Sequence, residues 1–357
     1  MKRYGNIYAK IYDMDNLKEA HRNARKDKLF YREVKMVDSN PEYYLSLIQE
    51  MLKNGTYQVK PEDYSVSNIN DKGKERELWK LPYFPHRIIQ WAIMLQIEDV
   101  FHQVFTDFTC ASLVGRGIHR AMKYVRRALK DEKESRYCLK VDIHHFYPSI
   151  NHDALKQLLR RKFKDPDLLK LLDMIIDSHP PKGIPIGSYL SQYLANYYLA
   201  YFDHWLKETL RVKYVVRYMD DVVIFSNSKE YLHWVVQEMM KYLQENLDLN
   251  LKGNWQIFPV DIRGVDFIGY RFFHKYTLLR KKTCKRFKKL ALRVRKHYLK
   301  KGKINFHEWC GVNSYNGWLN WCDSYRLRKK YIKPIQKALD DYYKNVIKLK
   351  GQVIQSA

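Results

Sequence analysis

The stretch KYVVRYMDDVVIFS, residues 213–226, restricts this chain more than any other. Its two apolar runs, YVVRY and VVIFS, are rich in β-branched and aromatic residues and read as paired strands of a buried sheet. The interval between them is so short that the strands must turn back on one another as a hairpin. Asp220 and Asp221 sit side by side at that turn. Adjacent carboxylates repel, and an apolar hairpin gains nothing from holding them, so their presence there points to a bound cation. A second apolar run, CLKVDI (138–143), ends on Asp142 under the same conditions. If the two strands are neighbours, three carboxylates meet at one sheet edge. Mg²⁺ takes oxygen ligands and keeps part of its shell for substrate phosphates, and two-metal phosphoryl transfer draws acids from separate segments. His144 and His145 follow Asp142, but hard Mg²⁺ prefers oxygen, and adjacent strand residues point to opposite faces.

Around these strands the pattern alternates irregularly. Residues 1–65 are polar and helical in pattern, with an amphipathic helix in PEYYLSLIQEMLKNG that ends at Gly55. NINDKGKER reads as a polar turn before the strand-like ELWKLPYF, and HRIIQWAIMLQIEDVFHQVF repeats its apolar residues at helical spacing. Asn151 is a capping candidate for the helix NHDALKQLLRRKF. The loop SHPPKGIPIGS precedes one long helix through SQYLANYYLAYFDHWLKETL. After the hairpin come the helix KEYLHWVVQEMMKYLQENL and strands near NLKGNWQIFPV and VDFIGYRFF. Helices and strands in this order predict an α+β fold, not a doubly wound parallel sheet.

Charge adds a partner class. Lys and Arg number 65 against 39 Asp and Glu, a net charge of +26, which suits a polyanion such as nucleic acid. Between Lys275 and Lys303 there are 14 Lys and Arg and no acid, with aromatics and leucines interleaved at helical spacing. Such a helix packs inward while Lys285, Lys289, Arg293 and Lys296 follow phosphates. With 46% hydrophobic residues the chain can bury a substantial core. No run has the length and apolarity of a spanning helix and the N-terminus lacks a signal-peptide core, so the expectation is a cytoplasmic protein without a membrane partner. Five cysteines without a CxxC pair indicate neither a disulfide framework nor a zinc ribbon.

At this point the ordered motifs resemble the reverse transcriptases. YMDD (Tyr218–Asp221) follows VDIHHFYPSI, which contains Asp142, with the Gly-rich GIPIGSYLSQ between them. Upstream, KGKERELWKLPYFPHRIIQ is similar to the fingers segment and the helix after it. Downstream, NLDLNLKG and GVDFIGYRF resemble the later palm motif and the primer grip with Gly264, Phe267 and Gly269. The resemblance implies a right-hand polymerase: an N-terminal helical extension (1–65), fingers (66–135), a palm of antiparallel sheet and helices (136–270) and a basic helical thumb (271–357). It implies that Asp142 and Asp220, with Asp221 and the Ile143 carbonyl, hold two Mg²⁺ ions. Lys74 and Arg76 would bind the dNTP triphosphate, Tyr147 would exclude a ribose 2′-hydroxyl, and Lys252 would protonate the leaving pyrophosphate. The template RNA and the RNA/cDNA duplex would be the partners. Pro185-Ile186-Gly187 and Ser191-Gln192 depart from the Pro-Gln-Gly and Ser-Pro of most members and resemble the enzymes of diversity-generating retroelements. That subtype implies error-prone copying opposite adenine and a small basic accessory variability protein oligomer. An intron, retron or phage-defence reverse transcriptase is the alternative, and a non-enzymatic RNA-binding protein a further one.

Overall fold

The computed structural model describes residues 2–71, 74–179 and 182–355. The chain divides into two units, residues 1–121 with 139–257, and residues 122–138 with 258–357.

In the first unit, helices Met14–Ala24 and Pro41–Lys53 start behind the capping side chains of Asp13 and Asn40, and Arg32–Ser39 lies between them without a side-chain cap. Asn40 accepts from the Tyr43 amide with Pro41 in the first turn, and Gly55 at φ +64° supplies the left-handed residue beyond the helix end. Helix Ile88–His102 is buried on most sides, through Ile88, Ile89, Ala92, Ile93, Met94, Ile97 and Phe101. Strands β1 (Ser65–Asp71) and β2 (Lys74–Lys80) pair antiparallel from Ser65↔Lys80 to Asp71↔Lys74. The polar-turn reading of NINDKGKER is therefore corrected: residues 68–71 and 74–76 belong to strands. Much of this ribbon is exposed, so it shows no apolar inner face, and backbone pairing rather than burial defines it.

The central sheet contains β3 (Tyr137–Asp142), β4 (Tyr214–Tyr218), β5 (Asp221–Ser226) and β6 (Gln256–Pro259) in the order β4-β5-β3-β6. Val222, Val223, Ile224 and Phe225 of β5 are all buried, which explains their unbroken apolar run. Helix Lys229–Leu247 packs on β5. Asn151 caps helix His152–Arg160 by accepting from the Ala154 amide at 3.1 Å. The single helix expected after the Gly-rich loop is two, Tyr189–Tyr198 and Ala200–Glu208, separated at Leu199. Helices Ile118–Lys130 and Pro166–Asp177 are additions to the sequence reading.

The second unit holds a three-stranded antiparallel sheet of β7 (Val265–Phe267), β8 (Tyr270–Phe272) and β9 (Thr277–Leu279). The basic run is not helical throughout. β9 occupies its start, with Leu279 buried, and the helix is Lys281–Lys301. That helix buries Phe287, Ala291 and Val294 at spacings of four and three, leaving its cations outward. Helices Phe306–Leu319 and Gln336–Gln355 follow. The α+β expectation holds. Among the described residues no helix is long and apolar enough to cross a membrane.

Candidate active site

The hairpin of β4 and β5 pairs Tyr218 with Asp221, so Met219 and Asp220 form a two-residue loop. Met219 takes φ +56°, a position that glycine usually fills in such turns. The adjoining strand is tied to this loop by backbone: the Ile143 amide donates to the Asp220 carbonyl at 3.3 Å. On the other side the Lys252 amide donates to the Asp142 carbonyl at 2.8 Å, and Ile143 bridges Leu251 antiparallel. These contacts bring Asp142, Ile143, Asp220, Asp221 and Lys252 to one sheet edge.

The electrostatics of that edge are those of crowded acids with two lysines among them. Lys252 Nζ donates to Asp142 Oδ1, while Lys140 Nζ stands 3.8 Å from Asp221 Oδ1. Lys140 and Asp142 share a face of β3 by the two-residue strand period. Asp220 is largely withdrawn from water. Burial first, then the charges of Asp142 and Asp221, push its carboxyl up to about 6, against an opposing pull from Lys252. Among the described residues no three His, Cys, Asp or Glu side chains converge as a ready metal cluster. The donor chemistry nevertheless fits Mg²⁺: carboxylate oxygens and a carbonyl, whose mutual repulsion a divalent cation relieves.

Tyr147 lies in the short helix Phe146–Ser149 after β3. Burial raises its hydroxyl above the ordinary value, Asp220 reinforces this, and Arg76 opposes it, so both charged groups act on Tyr147. The Gly-rich loop presses on this turn. Gly183 N donates to the Ile150 carbonyl at 2.8 Å, and Ile184 N to the Tyr147 carbonyl at 3.1 Å. His152 Nε2 holds the Gly183 carbonyl at 2.7 Å. Gly183 sits at φ +90°, where an added Cβ would lie 2.8 Å from Pro148 Cα and 2.9 Å from the Tyr147 oxygen. Further along, Ile186 is half-buried and Gly187 exposed, and a Cβ on Gly187 would lie 3.9 Å from Leu78 and from the Trp79 carbonyl of β2. Gln192 is half-buried on helix Tyr189–Tyr198. Arg76 is an exposed residue of β2; the side chain of Lys74 lies outside the described residues.

The remaining expected site residues belong to the second unit. Lys285, Lys289, Arg293 and Lys296 are exposed along helix Lys281–Lys301. Phe267 is fully buried, so its side chain is core, and Gly269 is buried beside it, with Ile268 half-buried in the turn between them. Both turn residues have positive φ, +44° and +91°, and a Cβ on Gly269 would run into the Trp318 ring. Gly264, at φ +72°, precedes β7. Sequence reasoning passed over Lys140, His152 and Arg217. Period two along β3 could have flagged Lys140; His152 reads as an ordinary helix residue and Arg217 as a strand interruption.

Acids close together at one end of the central sheet, an exposed arginine on the separate β1–β2 ribbon and an aromatic beside them are the donor types that nucleotidyl transfer uses. Over residues 62–271 the sequence matches the family described as reverse transcriptase (RNA-dependent DNA polymerase). The chain belongs to that family, a family of RNA-directed DNA polymerases. It is 24% identical over 274 residues to protein YkfC of Escherichia coli K12, covering 65% of this chain and 71% of that protein. It is 27% identical over 135 residues to the group II intron-encoded protein LtrA of Lactococcus lactis subsp. cremoris, covering 38% of this chain and 22% of LtrA. Among solved structures it is similar to apo telomerase of Candida tropicalis, with 12% identity, 61% of this chain and 48% of that one covered, and TM-score 0.43. A form truncated from the C-terminal domain gives 13%, 64%, 56% and 0.41. The chain thus spans about half the length of those telomerase chains and about a fifth of LtrA.

Proposed function

We propose that this chain copies an RNA template into cDNA with frequent errors opposite adenine, as the reverse transcriptase of a diversity-generating retroelement serving mutagenic retrohoming. Asp142, Asp220, Asp221 and the Ile143 carbonyl are the ligands for two Mg²⁺ ions. When bound, the ions supply charge stabilisation for phosphoryl transfer. The chain's own residues do the rest. Arg76, and Lys74 beside the same hairpin, grip triphosphate oxygens, for which a guanidinium fork is suited. Tyr147, the pKa of its neutral hydroxyl raised further above the ordinary value by burial, stands against a ribose 2′-hydroxyl and so selects dNTPs. Lys252 is the candidate proton donor to departing pyrophosphate, and its ion pair with Asp142 must open for that role. The exposed cations of helix Lys281–Lys301 bind the RNA/cDNA backbone, and a small basic accessory protein oligomer is the expected partner inside the cell.

The observation that carries the subtype is Ile186, an apolar residue in the loop where most reverse transcriptases have glutamine. An intron-type enzyme is the second reading, favoured by the 27% identity to LtrA. Extension of a primed RNA by the purified protein with Mg²⁺ and dNTPs, followed by sequencing of the cDNA, separates the two. Errors concentrated opposite template adenine support the first reading. Evenly low error overturns it in favour of the second, and absence of extension overturns both.

A further inference from the structure

Behind the acidic turn lies an arginine that no strand needs for its own sake. Arg217, in β4, is 0% exposed, and so is Asp203 of helix Ala200–Glu208. Arg217 Nε donates to Asp203 Oδ1 at 2.7 Å and Nη2 to Asp203 Oδ2 at 2.6 Å. Asp203 also accepts from the Thr109 hydroxyl at 2.7 Å. The other arm of the fork, Nη1, donates to Asn196 Oδ1 and to the Met219 carbonyl, each at 3.1 Å. Asn196 is fixed in turn by its amide on the Ala111 carbonyl at 2.9 Å.

A buried ion pair is weak evidence for a stabilising role, because well-packed apolar residues of similar volume often serve folding as well or better. The strand itself does not depend on this side chain. Its backbone is tied independently, the Arg217 amide to the Phe108 carbonyl at 3.1 Å and the Cys110 amide to the Arg217 carbonyl at 3.0 Å. What the side chain alone reaches is Met219, the residue at φ +56° that precedes Asp220. A non-glycine residue in that region persists only where its surroundings over-determine it. The planar five-donor guanidinium can hold Asp203 and the Met219 carbonyl together, and a single ammonium lacks that fork.

We infer that Arg217 is a positioning residue: anchored on Asp203, it holds the Met219 carbonyl and thereby sets how the turn presents Asp220 to divalent cations. Asp203, Thr109 and Asn196 are the framework of this clamp, and none of the four touches substrate. The inference rests on the reading of Asp142 and Asp220 as cation ligands.

The test compares the full chain with Arg217→Lys, with the double variant Arg217→Met/Asp203→Leu, and with Asp220→Asn. Three quantities are read: Mn²⁺ binding to protein alone, from the EPR signal of the free ion; the Mg²⁺ concentration giving half-maximal primer extension; and primer–template Kd. Arg217→Lys keeps the charge beside Asp203 but loses the fork, and the double variant keeps a filled core without any buried charge. In both, Mn²⁺ binding weakens at least fivefold and the half-maximal Mg²⁺ concentration rises by a similar factor, while primer–template Kd stays within twofold. The double variant shows this with a melting temperature equal to the parent's or higher, which separates positioning from stability. A folded Arg217 variant with Mn²⁺ binding and Mg²⁺ dependence within twofold of the parent overturns the inference, provided that Asp220→Asn loses the site. If Asp220→Asn binds Mn²⁺ like the parent, the cation reading itself falls, and the inference with it.

Discussion

Replacing Gly183 by alanine tests how the Gly-rich loop supports nucleotide selection. The new Cβ would lie 2.8 Å from Pro148 Cα and 2.9 Å from two carbonyl oxygens, those of Tyr147 and Pro148. These are backbone atoms, so no flexible side chain can yield; ordinary contact begins at 3.4 Å, and the loop or the Tyr147 turn must retreat by about 0.6 Å. The φ of +90° adds backbone strain of about 1–2 kcal/mol for a residue with a Cβ. Retreat weakens the bonds from Gly183 N to Ile150 and from Ile184 N to Tyr147, each contributing about 1 kcal/mol. The expected loss is therefore about 2–4 kcal/mol, read as a lower urea midpoint with unchanged slope. Because the displaced partner is the Tyr147 turn, discrimination between dNTP and rNTP in single-nucleotide extension should fall several-fold. Gly55→Ala is the control, since it has positive φ, +64°, but nothing within 4 Å of the added atom. It should lose about 1 kcal/mol and leave discrimination intact. A Gly183→Ala protein as stable as the Gly55→Ala control, with the parent's selectivity, would refute the reasoning.

Four further outcomes are expected. Asp220→Asn should abolish extension while leaving primer–template affinity within twofold, checked by filter binding; retained extension would sink the two-metal assignment. The same variant bears on pH: the Asp220 carboxyl is raised in the fold, so its contribution to stability is complete below about 3.8 and is lost as pH climbs through about 6. In EDTA at pH 7.5, Asp220→Asn should thus be more stable than the parent by about 2–3 kcal/mol, near 1.36 kcal/mol per unit of the shift, with little difference at pH 4. Equal differences in denaturant midpoint at the two pH values argue against it. Neutral substitutions at Lys285, Lys289 and Lys296 should flatten the salt dependence of primer–template affinity by about 0.7–0.9 in log–log slope for each phosphate that is no longer neutralised. An unchanged slope means that these cations face something else. Ile186→Gln should lower misincorporation opposite adenine several-fold to about tenfold, the scale of one added hydrogen bond, without stopping synthesis; identical error spectra in sequenced cDNA would remove Ile186 from the fidelity argument.

Much of this arrangement is written in local pattern. The apolar runs of β3, β4 and β5 announce a buried sheet, and an acid at the end of such a run announces its own anomaly, because a core strand has no use for a charge. The helix Pro41–Lys53 carries its start in Asn40 and Pro41 and its stop in Gly55. These signals need only the sequence, since strand period, caps and turn residues act within a few positions.

What local pattern does not carry is anything decided by a distant partner. The ribbon of β1 and β2 is polar and largely exposed, so its pairing leaves no periodic trace. β9 lies inside a basic stretch whose leucines also fit a helix; there the Thr277 amide donates a hydrogen bond of 2.7 Å to the carboxylate of Asp323, 46 positions away. Lys252 meets Asp142 across 110 positions. Arg217, taken alone, reads as a polar fault in an apolar strand; only the tertiary structure brings Asp203, Asn196 and the Met219 carbonyl around it. The sequence by itself determined which residues are chemically out of place. The fold decided which partners compensate them, because a buried charge is tolerated only where separate segments deliver opposite charge and hydrogen bonds to the same point.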